Sequence, residues 1–180
     1  MIYIYNCYGG THSSALAAAY HLNKLPKDRL PTKEEILNID IFNKLTTKDM
    51  GRIIFHGKDE EGHKVYTLGR GKSKALVPAL KELLFLVNDD HPQTDKVILS
   101  NASPTVPMAM TFGGLFSRRF HIDFIGIPLL IKGAHQTYHN IVSLVEKTKS
   151  TGRTTSKQVE ILENKQLEAN KLFGDSSSHN

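Results

Sequence analysis

Short apolar runs and helical periodicities take turns along the chain. Residues 1–7 (MIYIYNC) set Ile2 and Ile4 against Tyr3 and Tyr5, the period-two pattern of a strand. Residues 14–24 (SALAAAYHLNK) predict a helix that stops at Leu25-Pro26. Its face of Ala15, Ala18, Ala19 and Leu22 is small and suits close approach to a sheet. Thr32-Lys33-Glu34-Glu35 is a capping box, with a hydroxyl at the N-cap and a carboxylate three residues on. It opens a short helix to Leu37, and residues 40–51 read as irregular chain with one helical turn.

Arg52–Lys58 and His63–Leu68 flank Asp59-Glu60-Glu61-Gly62, which predicts a hairpin with a solvated acidic tip. Lys74–Val87 is apolar at helical length, with Pro78 in its first turns. Residues 89–92 read as a loop, and Lys96–Leu99 (KVIL) as a buried strand running into Ser100-Asn101-Ala102-Ser103. Residues 107–119 predict a helix carrying Gly113-Gly114. Phe124–Ile131 (FIGIPLLI) predicts another strand, with Pro128 arguing for a sheet edge. Gln136–Lys149 predicts a helix with core positions Tyr138, Ile141, Val142 and Val145.

After Lys149 the character changes. Residues 150–156 (STGRTTS) read as a linker and 157–172 as a polar helix, and GDSSSHN reads as disordered. The expectation is one α/β domain over residues 1–148 and a polar tail, partly helical or disordered, over 149–180. Strands alternating with helices imply a three-layer arrangement: a mainly parallel sheet, helices on both faces and an inserted β-hairpin.

Composition narrows the setting. A hydrophobic content of 39% in 180 residues supports a buried core. The apolar runs are too short to span a membrane, so no membrane partner is expected. The N-terminus lacks the basic flank of a secretory signal. One cysteine excludes an internal disulfide and fits a reducing, cytoplasmic compartment. The net charge of +5 is spread among acidic residues, and no nucleic-acid motif accompanies it.

In a parallel sheet, ligands bind beyond the carboxyl ends of the strands. The first strand is followed by Cys7-Tyr8-Gly9-Gly10-Thr11-His12-Ser13-Ser14 and the hairpin by Gly69-Arg70-Gly71-Lys72-Ser73. Ser100, Asn101 and Ser103 follow the next strand, and Lys132-Gly133-Ala134-His135 the one after it. Gly9 and Gly10 let backbone N–H groups approach a ligand, and the helix beginning at Ser13 or Ser14 points its unpaired N–H groups and dipole the same way. Thr11, Ser13 and Ser14 add hydroxyls, Arg70 and Lys72 add positive charge, and His12 is the candidate acid or base. The plainer alternative is a tight turn with a serine cap. His135 and His139 could share a metal with His12, but no paired carboxylate accompanies them, and no metal or particular cofactor is assigned.

Two phosphate loops invite comparison. GxxxxGK[ST] does not fit, since no Gly-Lys pair follows Gly9 at that spacing. The loop partly resembles that of small tyrosine phosphatases, Cys-x5-Arg-Ser. Cys7 and Ser14 match, but Ser13 stands where the phosphate-clamping arginine belongs. Cys7 is accordingly expected not to be a phosphatase nucleophile. The ordered set CYGGTHSS, NKLPKDRLPTKEEIL, GKDEEGHKVYTLGRGK and GGLFSRRF also resembles a domain-of-unknown-function family of endospore-forming Firmicutes. That resemblance implies a bacterial cytosolic protein with a sporulation context, and it carries no activity.

Two functions follow as expectations. One is a phosphate- or nucleotide-binding protein that catalyses phosphoryl transfer or phosphoester hydrolysis. The other is a non-catalytic regulator or interaction protein that uses the same loop.

Overall fold

The computed structural model describes residues 1–90 and 95–168. Strand β1 (Ile2–Cys7) leads through the glycine loop to α1 (Ser13–His21), and α2 (Lys33–Leu37) follows. The hairpin is β2 (Ile53–Lys58) with β3 (Lys64–Gly69). Then come α3 (Leu76–Asp90), β4 (Val97–Asn101), α4 (Met108–Gly114), α5 (Asp123–Gln136), α6 (Tyr138–Thr154) and β5 (Val159–Leu162). The sheet order is β2-β3-β1-β4-β5. All neighbours are parallel except β2 on β3, so this is the expected α/β arrangement with an antiparallel hairpin at one edge.

Alternation along β1 builds two cores. Tyr3 and Tyr5 turn to one face, where Tyr5 packs with the α1 alanines and with Ile141, Leu144 and Val145 of α6. Ile4 turns to the other and meets Leu68, Val97, Leu99 and Val159 beneath Val77 and Leu80 of α3. Helices therefore cover both faces. The chain leaving β1 goes to the α1 face and the chain leaving β3 goes to the α3 face. The crevice of such a sheet lies between strands whose connections part this way, at the carboxyl ends of β1 and β3.

Six local expectations are corrected. Phe124–Ile131 is not an edge strand but the body of α5, with Pro128 inside the helix. A short apolar run suits either a buried strand or a buried helix. Here the period of burial decides, because Gly126, Leu130, Gly133 and Ala134 share one face. A Cβ on Gly126 would lie 2.6 Å from that of Ser117, and one on Gly133 2.7 Å from that of Met110, so glycine lets α5 lie tightly on the preceding helix. Lys132–His135 consequently sit within α5 and follow no strand. The helix expected over 107–119 is α4 followed by a π-turn at Leu115–Arg119.

The linker expected at 150–156 largely belongs to α6, which runs to Thr154. Of the helix expected over 157–172, the described part to residue 168 instead holds β5, which extends the sheet, and a 3-10 turn at Lys165–Leu167. Val159 is only 2% exposed against β4 and α3, so burial overrides the helical composition of the segment. Finally, the hairpin tip is not simply solvated, because the Asp59 side chain is buried against His21. Residues 91–92 of the expected loop, and 169–180 of the tail, lie outside the described residues.

Candidate functional site

The glycine loop leaves the sheet at Cys7, and its path is fixed by β3. Arg70 N–H donates to the Cys7 carbonyl and Gly71 N–H to that of Tyr8, each at 2.9 Å, which carries the pairing of β1 and β3 beyond the strands. Gly10 adopts φ +69°, and a Cβ there would stand 2.6 Å from Gly69 N. A Cβ on Gly69 would in turn stand 2.9 Å from the Gly9 carbonyl. The glycines are thus required by the contact of two backbones, whatever else they admit.

The loop folds back on its own cysteine. Gly10 N–H donates to Cys7 Sγ at 3.2 Å, and Ser14 Oγ lies 3.1 Å from the same sulfur. Cys7 is 4% exposed. The hydroxyls expected to serve a ligand have divided roles. Thr11 Oγ1 donates to the Ile41 carbonyl and accepts from Lys44 N–H, latching the 41–45 segment to the loop. Ser14 is committed to Cys7. Ser13 Oγ is fully buried and has no hydrogen-bond partner among the described residues.

His12 caps α1 without a side-chain bond of its own to the helix. Burial pushes its pKa down to about 4, so the ring is neutral at pH 7. In that form Nε2–H donates to Asn43 Oδ1 at 3.2 Å, Asn43 Nδ2 donates to Ser117 Oγ at 2.7 Å, and Ser117 donates to Asp123. The chain of donors ends on a carboxylate, which fixes its direction and makes Nδ1 the accepting side of the ring. A neutral His12 is a proton acceptor and not a cationic anion donor. Asn43, Ser117 and Asp123 carry no signal in the sequence, because three separate elements bring them to His12.

Arg70 occupies the most suggestive position. Its Nη2 donates to Ser103 Oγ at 3.1 Å and to Asn101 Oδ1 at 3.4 Å. Arg70 follows β3, whereas Asn101 ends β4 and Ser103 lies in the turn just after it, and β1 runs between the two strands. With strands about 4.8 Å apart, the guanidinium is drawn across the end of β1, where the glycine loop departs. One nitrogen makes both bonds. Among the described residues Nε and Nη1 make none, so three of the five N–H donors of the side chain are uncommitted. Lys72 is exposed on the same loop. Asn101 and Ser103 join the site although the sequence marks them only by their place after a strand.

Two other features stand apart. His135 Nε2 bonds the Pro31 carbonyl at 2.8 Å, and among the described residues no three His, Cys, Asp or Glu side chains converge as a metal set. A cleft of about 410 Å³ between α1, α2 and β2 is lined by Leu22, Lys24, Asp40 and His56 and by none of the loop residues. No helix among the described residues is long and apolar enough to cross a membrane.

Residues 2–150 match the model of a family described as a protein of unknown function, DUF3189, and the chain belongs to that family. No curated protein and no solved structure matches it.

Proposed function

We propose that this DUF3189 member binds a phosphate-bearing ligand, a phosphorylated small molecule or nucleotide, at the carboxyl edge of its sheet. The observation that carries the reading is the Arg70 guanidinium, tethered through one nitrogen and, among the described residues, free at the other two. A planar fork with open donors suits two oxygens of a phosphate. The reading takes Arg70 as the counterpart of the clamp that the phosphatase-like loop lacks at Ser13. The N-terminus of α1, with its unpaired N–H groups and buried Ser13 hydroxyl, supplies the second side of the cradle. Gly9 and Gly10 shape it, Thr11 and Ser14 brace it, and Lys72 adds charge from the rim.

If the ligand reacts, His12 is the base, because its neutral ring presents Nδ1 as an acceptor. A specific observation favours binding without chemistry: Cys7 is buried and its sulfur is bonded within the loop. The domain is then a cytosolic regulator that senses a phosphorylated compound, and the motif resemblance to endospore formers supplies its setting.

Thermal shift with inorganic phosphate, sugar phosphates and nucleotides tests the reading. At about 100 times Kd a ligand that binds only the native state adds roughly 2.7 kcal/mol. At roughly 2–4 °C per kcal/mol that raises Tm by about 5–10 °C. Arg70→Ala should remove the shift and Lys72→Ala should weaken it. Sodium chloride at matched ionic strength should not reproduce it. No shift from any of the ligands at millimolar concentration would overturn the site.

A further inference from the structure

We infer that Asn101 is a positioning residue for Arg70, and that Glu163, in the turn after β5, sets the direction of its amide; this rests on the anion-site reading of Arg70. Asn101 is 7% exposed at the end of β4. Its Oδ1 accepts from Arg70 Nη2 at 3.4 Å and from Ser103 N–H at 3.0 Å. Its Nδ2 donates to Glu163 Oε2 at 2.9 Å. An amide has a donating and an accepting end. Turned round, Asn101 would set NH2 against the guanidinium and the Ser103 N–H, and its carbonyl oxygen against a carboxylate. Donors on one side and an acceptor on the other permit one orientation. In that orientation, Asn101 draws Nη2 toward β4 and leaves the rest of the fork open.

Glu163 is itself held by the next residue. Asn164 is 3% exposed and left-handed, with φ 54°. Its Nδ2 donates to Ser100 Oγ at 3.0 Å and to the Asn101 carbonyl at 3.1 Å. The turn after β5 is thereby clipped to the end of β4, with Glu163 facing the Asn101 amide. This support comes from outside residues 2–150, the part of the chain that the family model matches. The last strand therefore completes the anion site as well as the sheet.

Titration calorimetry of the full chain with inorganic phosphate tests the inference, with ligand-free Tm recorded for each variant. Asn101→Ala should weaken binding about tenfold, the size of one lost bond to a charged group. Asn101→Asp should weaken it further, since a carboxylate beside Arg70 competes with the anion. Glu163→Ala should lower affinity severalfold, whereas Glu163→Gln, whose amide oxygen still accepts from Asn101, should bind like wild type. A purely structural role would lower Tm in the alanine variants and leave affinity alone. Equal affinity in wild type, Asn101→Ala and Glu163→Ala would overturn the inference and leave the anion site standing. Equal losses in both Glu163 variants would overturn the orienting role. If wild type and Arg70→Ala alike fail to bind phosphate, the anion site falls and the inference falls with it.

Discussion

His21 Nε2 donates to Asp59 Oδ2 across 3.0 Å, with the two side chains 0% and 2% exposed. The pair joins the last turn of α1 to the tip of the β2–β3 hairpin. The Tyr5 hydroxyl, kept protonated by full burial, donates to His21 Nδ1 at 2.7 Å, so both ring nitrogens are assigned and the imidazole is neutral. Asp59 also accepts the backbone N–H groups of Glu61 and His63.

This arrangement makes stability depend on acid. Burial pushes His21 from 6.5 to about 4, against the opposing bond to Asp59. Burial likewise holds His12 and His56 at about 4. The unfolded chain takes up these protons below about pH 6.5, while the folded chain resists until about 4. The unfolded state then binds more protons, so stability falls as pH falls through that window. Asp59 adds to the loss at lower pH. Burial alone would raise it, but its bonds to His21 and His63 hold it below the ordinary value, and that contribution disappears as it protonates. The urea midpoint should drop between pH 6.5 and 4.5 by an amount worth roughly 1–3 kcal/mol per histidine. In His21→Gln the drop should be smaller. A flat midpoint across that range would show that these rings are not buried in neutral form.

The architecture is largely legible in the sequence, because strand alternation and helix caps are local. Ile2 and Ile4 against Tyr3 and Tyr5 specify two faces, and Thr32 with Glu35 forms the capping box that their spacing predicts. The misreadings occur where tertiary contact decides. FIGIPLLI suits a strand by propensity, and only Ser117 lying against Gly126, with Met110 against Gly133 farther along, makes it a helix. Val159 becomes a strand residue because β4 offers an edge. At the site, the glycine loop can be read directly, whereas Asn43, Ser117 and Asp123 cannot. Their partner is set by how α4 and α5 dock, not by spacing along the chain.

Gly10 should be the least replaceable residue of the loop. Its φ of +69° disfavours a side chain, and the Gly69 backbone occupies the space a Cβ would need. Gly62 also has positive φ, +79°, but nothing lies within 4 Å of its Cβ position. Gly62→Ala should therefore cost about 1 kcal/mol, the conformational part alone. Gly10→Ala should cost more, about 3 kcal/mol, because two backbones must separate. Chemical denaturation of the two variants compares them. Equal costs would mean that the β1–β3 junction yields easily.

The last strand should contribute stability without being the core of the fold. A chain ending at residue 148 keeps β1–β4 and most of α6, and we expect it to unfold cooperatively. It loses the burial of Val159, worth about 2 kcal/mol, and the Asn164 bonds to Ser100 and Asn101. It also exposes the edge of β4, a row of unpaired backbone groups that invites self-association. Its Tm should fall, and concentration-dependent light scattering should appear. Val159→Ala in the full chain should lower Tm without scattering. A truncated chain as stable and monodisperse as the full one would mean that β5 contributes nothing to the sheet.

Cys7 should behave as a structural residue. Its sulfur is bonded by Gly10 N–H and faces Ser14 Oγ inside the loop, and 4% exposure leaves little for a reagent to reach. A nucleophilic thiolate needs a positive or strongly donating surround and access to substrate. Ser13 offers a hydroxyl where an arginine would be needed, and Arg70 is tied toward β4 by Asn101 and Ser103. Native protein should therefore react slowly with a thiol-disulfide reagent, and urea-unfolded protein fast. Cys7→Ser should preserve the two short contacts, fold normally and retain phosphate affinity. Neither form should hydrolyse an aryl phosphate through a covalent intermediate. The opposite result is equally plain: hydrolysis by wild type that vanishes in Cys7→Ser, with a trapped phosphocysteine. The loop would then have to open far enough to expose the sulfur.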